Sequence, residues 1–308
     1  MAHELPDGFI DKYHETLKLR AGEQKSRRLA GMATQGGMFT GDDVYFPRVG
    51  SAETTKSTRL QELLQNQLPL DWIKTSAEPE FVNFTIWDPD KNKITFDMAS
   101  TFAAASERAI GRAQDRQVID ALSYAAENGV TNTKNVNETV TTIGDYDTVA
   151  DLETMCQAFV LLGEQEMFAG EKVTVIQPFR HFTQLSLDPY MAKTDVKTQQ
   201  VWNQADWRTY ERLPGNATTP IAGAGWVGGG ATGVDMYVVC HSALAEAMND
   251  DVTQLNERLG SRVGDMIGAW FQSATALTEA KGLIRIKSKI DFTVLRRPMV
   301  VEGMVLEV

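Results

Sequence analysis

The chain has 308 residues, 43% hydrophobic and 23% charged side chains, and a formal net charge of −11. At roughly 100–200 residues per domain this predicts about two domains with ordinary cores, and it excludes a collagen, a coiled-coil rod and wholesale disorder. With 41 acidic against 30 basic side chains, the chain lacks the overall basic footprint of a dedicated nucleic-acid binder.

Residues 1–40 read as an N-terminal arm. Phe9, Ile10, Tyr13 and Leu17 recur at helical spacing, and a mixed-charge segment with Lys25, Arg27 and Arg28 follows. GMATQGGMFTGDD is then too glycine-rich to suggest regular structure. Such an arm stays disordered or packs on another subunit. Val44-Tyr45-Phe46 opens a strand, and a second aromatic strand runs from Phe81 to Trp87. The polar residues between them predict a long hairpin that projects from the body.

The spacing predicts a long helix over 98–127, ended by Asn128-Gly129, on the order of 45 Å in length. Its apolar stripe is Phe102, Ala105, Ala109, Ala113, Val118, Leu122 and Ala126, widened by Ile110 and Ile119. The opposite face carries Glu107, Arg108, Arg112, Asp115, Arg116 and Asp120.

Beyond it, Thr139–Ile143 reads as a strand, and Asp147 caps a helix reaching about Phe168. The core face of that helix is Val149, Leu152, Cys156, Phe159 and Leu162. Lys172–Ile176 is a strand, Phe179–Leu187 a short helix, 188–233 irregular, Val234–Val239 a strand and Ser242–Met248 a helix. Strands return at Met266–Thr275, Gly282–Lys289 and in pieces from Phe292 to Val308. The class is α+β.

Chemistry-bearing patterns are scarce. Gly223-Ala224-Gly225-Trp226-Val227-Gly228 matches GxGxxG, but it lacks the strand before and helix after that a dinucleotide site requires. Cys156 and Cys240 form no CxxC or Cys/His cluster, so two buried reduced thiols are expected, with no metal site and no cofactor. Cys240 and His241, adjacent at a strand end, point apart and cannot share a proton. The N-terminus has no signal-peptide pattern, and no apolar run nears the ~18 residues of a membrane span, so an intracellular soluble product is expected. Few catalytic constellations favour a protein whose work is shape.

The order of parts resembles the major capsid proteins of tailed bacteriophages, which have the Hong Kong 97 fold. The resemblance rests on three runs taken in order. SERAIGRAQDRQVIDALSYAAENG (106–129) is similar to their spine helix. VYFPRVGSAETTKSTR (44–59) is similar to the stem of their extended loop. YVVCHSALAEAM (237–248) with GAWFQSATALTEAKGLIRI (268–286) is similar to the return from axial to peripheral domain.

The resemblance implies an arm at 1–40, an extended loop at 41–82, a peripheral domain from 83–145 with 262–308, and an axial domain at 146–261. It also implies a coat subunit that forms pentamers and hexamers of an icosahedral shell around double-stranded DNA, in a virion assembled in the host cytoplasm. Scaffold, portal and cement proteins would be its further partners. Subunit contacts would fall on the arm and loop, at Phe9, Tyr13, Arg27, Arg28, Lys56, Arg59, Leu60, Leu63, Leu64 and Trp72, with Lys56 as a crosslinking candidate. Surface ion pairing is the expected fate of the basic arm cluster. Two alternatives stay open, a protein-compartment shell and a nucleotide-binding enzyme using the loop Gly223–Gly233.

Overall fold

The computed structural model describes residues 7–23, 27–49, 70–77, 79–87, 98–132, 136–165, 167, 171–186, 205–210, 213–215, 233–249, 253–258, 264–289, 300–301 and 304–305. In chain order, helix α1 (Asp7–Glu23) leads to strands β1 (Thr34–Gln35), β2 (Met38–Thr40), β3 (Asp43–Val49), β4 (Leu70–Ser76) and β5 (Pro79–Trp87). Helix α2 (Met98–Asn128) precedes β6 (Val130–Thr131), β7 (Asn137–Glu138), β8 (Thr141–Ile143), α3 (Leu152–Glu164), β9 (Val173–Gln177) and α4 (Phe179–Ser186). Then come β10 (Ala205–Thr209), β11 (Gly233–Cys240), β12 (Leu244–Met248), β13 (Thr253–Arg258), β14 (Gly264–Leu277), β15 (Leu283–Lys289), β16 (Val300–Val301) and β17 (Met304–Val305).

The chain divides into two compact units. The first holds 1–121, 130–138 and 244–278, and the second 122–129, 139–243 and 279–308. β14 belongs to the first unit and β15 to the second.

In the first unit, the 14-residue β14 is the organising strand. It pairs along one edge with β5, Gly264↔Trp87 to Gln272↔Pro79, and along the other with β13 and then β12. The strand Phe81–Trp87 expected in the hairpin is therefore part of this sheet. The hairpin stem is instead β3 with β4, in register from Asp43↔Ser76 to Val49↔Leu70. The glycine-rich stretch after α1 also holds structure. β1 joins β12 in parallel, Gly36 N–H donates to the Glu246 carbonyl, and β2 pairs with β3. Gly31 and Gly41 take φ of 70° and 66°, left-handed turns that glycine enters without a Cβ penalty.

α1 packs on its own chain. Phe9, Tyr13 and Leu17, four residues apart, are buried with Ala99, Ala103 and Ile110 of α2, Ile86 of β5, and Ile267, Ala269 and Phe271 of β14. Alanines at the contact let the two helices approach closely, and Phe9 and Phe84 each meet the Phe102 ring edge-on. The stripe of α2 is accordingly turned from the one expected. Ala99, Ala103, Ile110, Val118, Ile119 and Leu122 are buried, Ala105 is exposed, and the expected outer residues Glu107 and Asp115 are buried. α2 ends as its sequence predicts, at Gly129 with φ 76° and its N–H on the Ala125 carbonyl.

The second unit is built on a sheet of order β10-β9-β11-β15-β8. β11 is antiparallel to both neighbours, and the β9–β10 and β15–β8 pairs are parallel. Every residue of β9 and β11 is buried, as in a sheet covered on both faces. The cap of α3 is Asp151, whose carboxylate accepts the Thr154 N–H at 2.9 Å, and not Asp147, whose amide donates to Asp145. Met155, Ala158, Phe159 and Leu162 form the buried face of α3, which leaves Cys156 one step round the helix and exposed; the expected burial holds for Cys240 alone. The residues expected as a helix at 242–248 are a 3-10 turn (His241–Ala243) followed by β12, because the Leu244-Ala245-Glu246-Ala247-Met248 backbone pairs with Leu277–Ser273. Tertiary pairing here overrides local helix propensity.

Candidate functional site

Two constructions in the first unit tie the arm and the hairpin stem to the rest of that unit. The first fixes the arm. Arg27 follows α1, and its side chain is 2% exposed, wedged between Asp115 of α2 and Glu246 of β12. Its Nη2 lies 2.8 Å from Glu246 Oε1 and its Nε 3.7 Å from Asp115 Oδ1. Neither nitrogen makes an aligned hydrogen bond, so the attachment is coulombic.

Asp115 adds two directed bonds by accepting the backbone N–H groups of Arg28, at 2.8 Å, and Leu29, at 3.1 Å. Burial raises the carboxyl of Asp115 above its ordinary range, against the opposing pull of these N–H groups and of Arg27. Two further ties run from α1 to α2. Tyr13 Oη lies 2.7 Å from Ser106 Oγ, and Arg20 reaches Glu107 at 3.4 Å. The acids that local periodicity assigned to the solvent face of α2 are thus the sockets for the arm's cations.

The second construction is the loop stem. Arg48 of β3 donates through one nitrogen, Nη2, to both carboxylate oxygens of Glu138 of β7, at 2.7 and 2.8 Å, a charge-assisted contact. Lys74 pairs with Asp43 across the stem at 2.7 Å. Val44, Phe46 and Ile73 point into the body, while Trp72, opposite Pro47, is 40% exposed.

The sequence-predicted residues thus separate into three groups. Phe9, Tyr13 and Arg27 are buried within the chain, and the surface ion pair expected for Arg27 is a buried one instead. Arg28 contributes its backbone to Asp115, and Trp72 is on the surface of the stem. Lys56, Arg59, Leu60, Leu63 and Leu64 lie outside the described residues, as does the GxGxxG run. Sequence reasoning missed Asp115, Glu246, Arg48 and Glu138. The available signal was Asp115 itself, an acid lying between Ile110 and Val118 in the apolar period of α2.

In the second unit the polar clusters are structural ties. Asp235 accepts from Tyr146 Oη at 2.7 Å and from Arg285 at 2.5 Å; burial and the adjacent carboxylate push the Tyr146 hydroxyl up to about 12. His181 engages Gln177 through Nδ1 and the Ala150 carbonyl through Nε2, each at 2.7 Å. The Cys240 thiol faces the Met167 carbonyl while His241 meets Thr174, so the adjacent pair diverges. Among the described residues, no three His, Cys, Asp or Glu side chains converge as a metal site.

An arm clipped to a long helix, the paired β3–β4 stem and two α+β units in this chain order match the Hong Kong 97 architecture. Solved structures agree on the fold. The capsid of cyanophage P-SCSP1u is 13% identical with a TM-score of 0.55, covering 83% of this chain and 86% of that one. A virus-like particle from Pyrococcus furiosus is 8% identical with a TM-score of 0.56, covering 90% and 99%. Mycobacterium phage Che8 gives 14% identity and a TM-score of 0.52, covering 86% and 90%. Comparison with curated proteins gives no match. The family model described as phage capsid protein matches residues 5–289, and the chain belongs to that family. It is a major capsid subunit, and its role is structural.

Proposed function

We propose that the chain builds pentamers and hexamers of an icosahedral shell that encloses double-stranded DNA, assembling in the host cytoplasm. The observation that carries this reading is the family match over residues 5–289, which distinguishes a phage coat from a protein compartment where fold alone does not. Heterologous contacts that close into rings and then a sphere need obligate interfaces of about 2,000 Å² or more. The loop supplies part of that area, with Lys56, Arg59, Leu60, Leu63, Leu64 and Trp72 meeting a neighbouring subunit. Phe9, Tyr13 and Arg27 serve the interface indirectly, by fixing the arm that carries Arg28 toward the same neighbour. Residues 83–145 with 262–308 take the peripheral role and 146–261 the axial one. Scaffold, portal and cement proteins are the further partners of such a shell.

Particle mass by light scattering, with negative-stain images of the same fractions, tests the proposal. Pentamers, hexamers or closed shells are expected, with or without a co-expressed scaffold. A monomer or dimer that persists with scaffold present would overturn it.

A further inference from the structure

α2 turns two of its four acids inward and all of its cations outward. Glu107 and Asp115 turn inward, where arm cations meet them, with Asp115 held by Arg27 and by the Arg28 and Leu29 amides. The three cations of the helix, Arg108, Arg112 and Arg116, are all exposed and recur every fourth residue. At 1.5 Å per residue they form a row inclined to the helix axis, with an axial step of about 6 Å.

Only Arg116 has an acid on the row, Asp120 at 3.5 Å with both side chains more than half exposed. Among the described residues, Arg108 and Arg112 make no ion pair. Like charges four residues apart destabilise a helix, so the row works against the element that carries it. In a chain with eleven excess negative charges, three arginines in line before the first acid of the row, Asp120, are not the average surface.

We propose that this row is a sequence-independent docking strip for the sugar-phosphate backbone of duplex DNA. Arginine's planar fork matches a phosphate, and a regular line of cations suits a polymer with one charge at every repeat. A protein partner would be expected to bring aromatic or aliphatic anchors to the strip. At one end of the row Thr101 and Ala105 offer none and at the other, beyond Asp120, Tyr124 offers a single exposed ring, whereas polar, strongly positive contacts are the mark of DNA interfaces. The net negative charge of the rest of the chain keeps each contact weak and reversible, which suits a surface along which packaged DNA must still move. The source of the DNA rests on the shell reading above; the strip itself does not.

Fluorescence anisotropy of a labelled mixed-sequence duplex, titrated with the full chain over a range of salt, tests this against the triple variant R108Q/R112Q/R116Q. Each lost phosphate contact flattens the slope of log K against log salt by about 0.9, so the variant should bind more weakly and lose about 2.7 from its slope. The arginine-to-lysine triple should keep most of the slope, which excludes a fold defect as the cause. Absence of wild-type binding at the lowest salt, or equal slopes, would overturn the strip. So would a glutamine variant that binds DNA normally but no longer forms particles, because the row would then meet carboxylates of a protein partner. Negative-stain images of the same samples report on shell formation separately, so failure of assembly and failure of DNA docking are told apart.

Discussion

Replacing Arg27 with methionine should be among the most damaging single changes in the first unit, although methionine keeps most of the volume. The guanidinium is 2% exposed, against carboxylates 2% and 3% exposed. Removing it leaves two acids in a site that water does not reach. Asp115 retains its two backbone N–H donors, whereas Glu246 is left with Gln35 Nε2 at 3.4 Å, so the uncompensated charge falls on Glu246. Breaking a buried pair from one side costs about 3–5 kcal/mol. At about 2–4 °C per kcal/mol for a domain of 150–250 residues, Tm should fall by about 6–20 °C.

Differential scanning fluorimetry with urea titration measures the loss. The double variant Arg27→Met/Glu246→Gln should recover a good part of it, because the orphan then becomes neutral. The pH dependence has a definite sign. A carboxyl raised by burial, as Asp115 is, binds its proton in the folded chain at a higher pH than in the unfolded chain. Acidification through that raised value therefore stabilises the fold, and the effect is lost as pH climbs. The gap between Arg27→Met and wild type should accordingly narrow as pH falls from neutral. A loss below about 1 kcal/mol, no recovery in the double variant, or a gap that widens on acidification would refute the argument.

Three further outcomes follow from local geometry. Asp151→Ala removes the α3 cap and should cost about 1 kcal/mol at neutral pH in urea titration. Because the Thr154 N–H holds the Asp151 carboxyl below its ordinary range, this difference should vanish only below that range, as the native carboxylate takes its proton. Gly144→Ala should destabilise more than Gly41→Ala: both sit at positive φ, but a Cβ at 144 lies 2.6 Å from the Lys287 carbonyl oxygen and one at 41 meets nothing. About 1–2 kcal/mol is expected at 41, from the left-handed backbone alone, and a larger loss at 144, by thermal melts of both variants. Thiol titration of the native chain should show one fast cysteine and one slow. Cys156 is exposed, while Cys240 is buried with its thiol pushed up to about 12, and equal rates would contradict that placement.

Elements whose information is local were legible in the sequence. α2 was readable end to end because 31 residues of helical period are closed by a glycine whose φ only that residue adopts easily. β9, β11, β14 and β15 were readable as apolar runs between turn residues. Non-local pairing was not. Leu244–Met248 has a helix former's composition, and its strand state comes from a partner 25 to 33 residues away, Leu277 to Ser273. The glycine-rich stretch at 31–41 was read as structureless because its hydrogen bonds go to β12, more than 200 residues along the chain.

The arm shows the same limit in its charges. Periodicity assigned Glu107 and Asp115 to solvent because a carboxylate is costly to bury, and that cost is real unless a partner arrives. The partners arrive from α1 and from Arg27, whose own sequence looks like an ordinary solvated mixed-charge run. Neither half discloses the other, since each is read correctly as polar and only the docked pair is dry. The exposed arginines of α2 are the complementary case. Their partner is not in the described chain, and the same charge-sorting that buried the acids leaves Arg108 and Arg112 facing outward without an acid. A helix that buries two of its acids, Glu107 and Asp115, and displays its three cations in a row has divided its faces between folding and contact with something else. In a subunit whose role is to form a wall, that second face is where the contents of the shell should be sought.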